Sequence, residues 1–317
     1  MVWKHFVVAF LTTFGLGIVA VLGFIVLIDP YDSGRFGIGW ISGVVDQDPR
    51  TAAVSRGRDP RFDSAVFGNS HGQLLDPLRL SSATGQNFVQ LTVPGTGPRE
   101  QLTLLHWFVR HHGRIGTIVL VADSAWCTQD PSLPISHPFP FWLYSDANLE
   151  YAVNVLRTAA LDRGWKRLLL AVGLRQRSDP AGYLDYERGR AWAFTPTIPE
   201  GLDPEVAIRE GEIRFPAIER LWAQLGERAR EVPIIVVFPP AFVTQLPKSG
   251  SAEGHLTAEC KGALARLAQE RGAFIDFAVD GELVRNPMNF MDATHYRAGV
   301  AREIEARIVA ALAQVRR

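Results

Sequence analysis

Val66-Phe67-Gly68-Asn69-Ser70-His71-Gly72 decides how this chain is read. The apolar run Ser64 to Phe67 leads into a glycine, two small polar residues and a histidine, and Gln73 to Leu80 then carry apolar side chains at helical spacing. The pattern predicts a strand, a sharp turn and a helix. A serine at such a turn has its hydroxyl at the end of a sheet and its N–H at a helix N-terminus, where a developing oxyanion is stabilised. Asn69 and Ser70 are also the residue types that cap helices, so the turn alone leaves two roles open, cap and nucleophile.

Outward from this stretch the alternation continues. Further strands are expected near Asn87–Val93, Ile115–Ala122, Pro233–Phe238 and Ala273–Phe277, and helices over Pro98–His112, Pro216–Glu231, Thr257–Arg271 and Ala298–Val315. The Pro98 helix carries Leu102, Leu105, Phe108 and Val109 on one face and is expected to end at Gly113. Ile115 to Ala122 is apolar throughout, the mark of a strand buried on both faces. Five strands, each followed by a helix, predict an α/β fold: a three-layer sandwich around a parallel five-stranded sheet, flavodoxin-like, with its functional groups at the carboxyl ends of the strands. Between Asp123 and Glu231 the alternation is lost. Thr128–Phe141 is proline-rich, Asn148–Val172 reads as helical, and Ser178–Pro204 reads as loop with Tyr183, Tyr186, Trp192 and Phe194 scattered through it. This is an insertion over about 127–215, and its unpatterned aromatics are expected to fill local hydrophobic clusters.

Phe6 to Ile28 holds no charge and is apolar on every face. At 1.5 Å per residue it is long enough to cross a hydrocarbon core of roughly 30 Å. A cleaved signal peptide has a shorter apolar region, so residues 1–28 are read as a stub and an uncleaved anchor. Lys4 precedes the span and Asp29, Asp32 and Arg35 follow it, which places the N-terminus in the cytoplasm and the bulk of the chain outside. Asp29–Asp63, rich in Gly, Asp, Arg and Pro, is expected to be an extended connector to a domain over 64–317. The 33 basic and 33 acidic residues balance and form no basic block, which argues against nucleic acid as a partner. The two cysteines, Cys127 and Cys260, could pair in an oxidising compartment, but their distance in sequence does not indicate it, and they are expected to be free and buried.

On this scheme Ser70, Gly95, Asp123, Ser124, Pro239, Asp292 and His295 all fall at one edge of the sheet. Asp292 and His295, three apart before the last helix, can share a face. A carboxylate there fixes the imidazole tautomer that leaves the other nitrogen free to take a proton from a serine. Helix capping by Asp292 or Thr294 is the alternative.

A serine in a Gly-Asn-Ser turn after the first strand, a glycine loop Pro94-Gly95-Thr96-Gly97 after the second, and Asp-x-x-His before the C-terminal helix together resemble the SGNH/GDSL hydrolase superfamily. The resemblance covers Ser64–Ser124 and Pro233–Val315. It implies Ser70 as nucleophile, His295 as base, Asp292 as its orienting carboxylate, and an oxyanion hole from the Ser70 N–H, Gly95 and a third donor. Where the family has Gly-x-Asn-Asp, this chain has Ala122-Asp123-Ser124-Ala125, so the asparagine donor is absent or replaced by Ser124. With Asp29-Pro30-Tyr31 after the anchor, the chain looks most like the membrane-anchored branch related to alginate and cell-wall O-acetylation proteins. That likeness implies a periplasm-facing esterase or O-acetyltransferase in the inner membrane, acting on polysaccharide acyl esters beside a membrane acyltransferase partner. His71, Asp123, Trp126 and Tyr296 adjoin these positions and are the expected substrate contacts.

No cofactor or metal is expected. His106, His111 and His112 lack acidic or thiol partners at ligand spacing; His111 and His112 suit a helix C-terminus instead. Pro94–Gly97 lacks the Lys and Ser/Thr of a phosphate loop. The rival from another class is a non-catalytic scaffold or glycan-binding subunit on the same fold.

Overall fold

The computed structural model describes residues 2–35, 39–134, 137–189, 193–196, 213–225, 231–269 and 272–315. In chain order the elements are α1 (Val2–Ile28), α2 (Pro49–Gly57), β1 (Ser64–Gly68), α3 (Pro77–Thr84), β2 (Phe88–Thr92), α4 (Pro98–His111), β3 (Thr117–Val121), α5 (Ala125–Thr128), α6 (Phe141–Tyr144), α7 (Asn148–Val155), α8 (Thr158–Ala171), α9 (Pro216–Leu225), β4 (Ile234–Phe238), α10 (Ala252–Ala268), β5 (Gly272–Asp276), α11 (Glu282–Arg285) and α12 (Ala298–Val315). They group into two units, Met1–Arg58 with Pro140–Pro180, and Asp59–Phe139 with Ala181–Arg317.

The second unit holds an all-parallel sheet in the order β2-β1-β3-β4-β5. Its central strands β1, β3 and β4 are largely apolar because helices cover both faces. Val66, Val119, Val121, Ile235 and Val237 point one way, into a cluster with Leu80 of α3 and Val300, Ile304 and Ile308 of α12. The alternate residues point the other way, where Phe67 meets Phe108 of α4 edge-on at 5.9 Å. From β1 the chain winds outward to β2, and from β3 it winds to β4 on the other side. The carboxyl ends of β1 and β3 therefore flank the point where the winding reverses, where open α/β sheets form a crevice.

Local chemistry moves some boundaries. The helix expected over Gln73–Leu80 begins at Pro77, because Asp76 accepts from the N–H groups of Leu78 (2.8 Å) and Arg79 (3.4 Å) and proline suits the first helical position. Helix α4 ends at His111 with His112 as its cap, one residue before the expected end, and the Nδ1 atoms of His111 and His112 bond the carbonyls of Trp107 (2.7 Å) and Phe108 (2.8 Å). The helical region over Asn148–Val172 is two helices, broken at Leu156-Arg157. Cys127 of α5 and Cys260 of α10 are bonded to each other, which corrects the expectation of free thiols. The packing of α5 against α10 brings together residues 133 apart, a proximity that spacing does not encode. Of the insertion's aromatics, Phe194 packs on Phe242 at 5.2 Å, as expected of a local cluster, and Trp192 lies outside the described residues.

The first unit overturns the extended connector. Residues 29–58 fold back with 140–180, so the expected insertion is shared between the two units. Asp29 and Asp32 have φ of +48° and +50°, a conformation aspartate tolerates when its side chain bonds locally. Asp29 accepts from Ser33 Oγ (2.9 Å) and the Gly34 N–H (2.7 Å). Asp32 accepts from Ser55 Oγ (2.6 Å) and the Gly43 N–H (2.7 Å), and pairs with Arg58 (2.6 Å) and Arg167 (3.1 Å). Arg167, buried, also donates to the carbonyls of Ile28, Asp29, Ile41 and Gly43, holding the C-terminal end of α1. Helix α1 is long and apolar enough to cross a membrane, with a mean hydropathy of 2.6.

Candidate active site

Strand β1 ends at Gly68, whose φ of +153° turns the chain sharply. A Cβ there would lie 3.0 Å from Val121 Cβ and 3.1 Å from its carbonyl oxygen, so only glycine lets β1 end this close to β3. Gly72 is confined likewise, its absent Cβ 2.8 Å from Thr92 Cγ2. Between them Ser70–Gly72 form one 3-10 turn. Its cap is Asn69, whose Oδ1 accepts the His71 N–H at 3.0 Å. That settles the division of labour left open by the sequence: Asn69 caps, and Ser70 Oγ is available for another partner. Buried Gln90 of β2 fixes the far side of the turn, donating toward the carbonyls of Gly72 (3.2 Å), Gln73 (2.9 Å) and Leu75 (2.7 Å).

The partner of Ser70 comes from 225 residues away: the hydroxyl lies 2.9 Å from His295 Nε2. His295 Nδ1 faces Asp292 Oδ2 at 2.9 Å and Oδ1 at 3.0 Å. Asp292 is itself oriented, its Oδ1 accepting from the N–H groups of Thr294 and His295 (2.8 Å each) and from Thr294 Oγ1 (3.0 Å). Burial pushes the Asp292 carboxyl up, but these N–H groups and the imidazole outweigh it and hold its pKa below the ordinary carboxylate value. With Nδ1–H donated to the carboxylate, Nε2 is the acceptor, the form that takes a proton from a serine.

A second imidazole stands beside the first. His71 Nδ1 is 3.1 Å from Asp123 Oδ2, and the rings of His71 and His295 are 5.2 Å apart. Asp123, at the carboxyl end of β3, also accepts from the Asn69 amide (2.5 Å) and the Ala125 N–H (3.0 Å). Burial raises its pKa, and the bonds from His71, Asn69 and Ala125 prevail to leave it below the ordinary value. Gly95 lies exposed in the turn after β2 with φ +65°, next to β1 through the Gly68–Thr92 pairing. Ser124 is exposed at the end of β3.

Two expected substrate contacts are corrected. Trp126 is buried, donating from Nε1 to Gln101 Oε1 at 2.8 Å, and Tyr296 is buried, donating its hydroxyl to the His71 carbonyl. Their polar tips are taken up by protein partners: Tyr296 braces the turn that carries Ser70, and Trp126 is tied to α4. Three contributors went unread in the sequence: Asn69 as a partner of Asp123, Thr294 on Asp292, and Tyr186, whose ring lies edge-on to His295 at 6.0 Å. The loop carrying Tyr186 is held by Glu187, which pairs with Arg297 and accepts the Ala298 N–H, both at 2.7 Å. Only Thr294, two residues after an aspartate, carried a local signal.

Comparison with protein-family models finds none that matches this chain, and comparison with curated proteins finds no match either.

Proposed function

We propose that this chain is a membrane-anchored serine esterase or O-acyltransferase of the SGNH type, working outside the cytoplasm on acyl esters of an envelope polysaccharide. The observation that carries the reading is the relay from Ser70 Oγ to His295 Nε2 and from Nδ1 to Asp292, each step about one hydrogen bond long. Ser70 Oγ attacks the ester carbonyl carbon while His295 takes its proton, and the proton then goes to the departing alcohol as the acyl-serine forms. A second hydroxyl, of water or of a sugar, attacks the acyl-serine with its proton passing to His295, which returns it to Ser70. The N–H groups of Ser70 and Gly95 face the developing oxyanion in this scheme, with Ser124 as third donor. His71, its Nδ1–H given to Asp123, leaves Nε2 to accept a hydrogen bond from the incoming hydroxyl.

Helix α1 supports the anchor, and the Cys127–Cys260 bond supports an oxidising compartment, as on the outer side of an inner membrane. A membrane acyltransferase partner would supply the acyl group in the transferase version.

One observation favours a second reading. Asp123, bonded to Asn69 and His71, puts a carboxylate next to Ser124, the position of the third oxyanion donor of this enzyme type, which suits a glycan-binding subunit without catalysis. A serine-directed fluorophosphonate probe separates the two. Labelling of the purified full chain that disappears in Ser70→Ala and His295→Ala is the expected result; labelling indifferent to both, or none, refutes the enzyme.

A further inference from the structure

We infer that the α7–α8 surface of the first unit is a membrane-seated platform, held in the headgroup and acyl boundary beside α1; this rests on α1 being a membrane anchor. From Trp3 to Leu22 helix α1 is exposed apart from partial cover at Val7 and Gly15, whereas beyond it one face, Gly23, Phe24, Ile25 and Ile28, is covered within the first unit and the other, Val26 and Leu27, stays exposed. Helix α8 supplies the cover: Gly164 lies so close to Phe24 that a Cβ would meet its ring at 2.7 Å, and Arg167 holds the carbonyls of Ile28 and Asp29. The uncovered length is about 20 residues, roughly 30 Å, which is one hydrocarbon thickness. Lipid contact around the whole helix therefore ends near Leu22, and the last turns of α1, with Val26 and Leu27 still exposed on one face, stand in the boundary layer together with α8.

What α7 and α8 present at that level is apolar. Leu149, Val153, Leu156, Trp165, Val172 and Leu174 are each more than half exposed. Leu149, Val153 and Leu156 follow the 4-and-3 spacing of a helical face, opposite buried Tyr151 and Val155, and Trp165 and Val172 repeat it on α8. Leu156 closes a groove whose floor is the Phe14, Gly17, Ile18, Val21 and Leu22 face of α1, so the stripe is continuous with the helix that enters lipid. In water so many exposed apolar side chains would be a liability; in the boundary layer they are an anchor. Tryptophan favours that layer. The charged groups beside the stripe are Glu150, Arg157, Asp162, Arg163 and Lys166. Arg157 lies over the Trp142 ring, Arg163 pairs with Asp46 and Asp48, and Lys166 pairs with Asp46 and Asp162. The stems of Arg157 and Lys166 can follow the acyl boundary while their heads reach lipid phosphates.

The test uses the full chain in phospholipid nanodiscs, with a fluorophore on Val153→Cys, Trp165→Cys or, as reference, Leu16→Cys; the native cysteines stay bonded and unlabelled. Quenchers are lipids spin-labelled near the headgroup, lipids spin-labelled deep in the acyl chain, and aqueous iodide. The platform predicts that the Val153 and Trp165 probes are quenched roughly threefold or more better by the shallow lipid label than by iodide, and the Leu16 probe best by the deep label. Quenching of Leu16 by lipid with Val153 and Trp165 open to iodide overturns the platform and keeps the anchor. Probes at 153 and 165 shielded from every quencher mean a protein partner on this face, which also overturns it. A Leu16 probe that no lipid label reaches overturns both readings.

Discussion

Asp292→Asn tests the relay at its most specific point. Oδ1 of Asp292 accepts from the Thr294 and His295 N–H groups and Thr294 Oγ1 and also lies 3.0 Å from His295 Nδ1, so an asparagine at this position must keep its carbonyl oxygen there. The amide nitrogen is then forced into the place of Oδ2, 2.9 Å from His295 Nδ1. It donates to Nδ1, moving the imidazole proton to Nε2, which can no longer accept from Ser70 Oγ at 2.9 Å. A wrong tautomer behind a buried carboxylate costs about 10⁴ in turnover. Here the Asp292 side chain is 52% exposed, so water competes for the same positions and the loss expected is about 10³, or ~4 kcal/mol of transition-state stabilisation. Hydrolysis of p-nitrophenyl acetate by the full chain in detergent measures it. kcat should fall with KM unmoved, because the interaction matters only in the transition state. Since all three bonds to Oδ1 survive, unfolding should shift by less than about 1 kcal/mol. Turnover within tenfold of the unsubstituted protein, with folding intact, refutes the tautomer argument.

Opening the Cys127–Cys260 bond should lower stability. With the cysteines 133 positions apart, the chain-entropy estimate is about 5 kcal/mol and the usual measured range about 2–4 kcal/mol, read as a reductant-dependent fall in the denaturant midpoint; an unchanged midpoint refutes it. Asp123→Asn should alter the acid limb of stability. The native pKa of Asp123 lies below the ordinary 3.8, so its contribution is complete above that value and is lost as pH falls through the native one. Melting temperatures should therefore differ most above pH 4 and converge as the pH falls below it; a constant offset down to the lowest pH at which both fold refutes the assignment.

The second unit was legible because its information is local. Continuous apolar runs such as Thr117–Val121 can only be strands covered on both faces, and glycine, asparagine and serine in sequence mark the turn after β1. Asp292 and His295 were readable as a pair because they meet across one turn of chain. The first unit was illegible for the opposite reason. Asp32 looks like one more polar residue in a glycine-rich connector until Arg167, 135 residues on, arrives to pair with it. Composition registers loops and polarity; it does not register that a distant guanidinium will close them into structure.

The same distinction bears on how the site is built. Asn69 sits in the turn that carries Ser70, yet its side chain does two things that no motif separates: Oδ1 caps the 3-10 turn through the His71 N–H, and the amide nitrogen bonds Asp123 across from β3. Asp123 in turn holds His71, and Tyr296 holds the His71 carbonyl from the element that also carries His295. The turn after β1 is thus tied to the segment before α12 twice, once through Ser70 and His295 and once through the His71 carbonyl and Tyr296. A substitution at Asn69 loosens the cap and the Asp123 bond together, so its effect on Ser70 would pass through both and exceed that of replacing Ser124, which stands exposed at the end of β3. At the end of β3 the bonds of Asp123 to Asn69 and His71 tie that strand to the turn after β1.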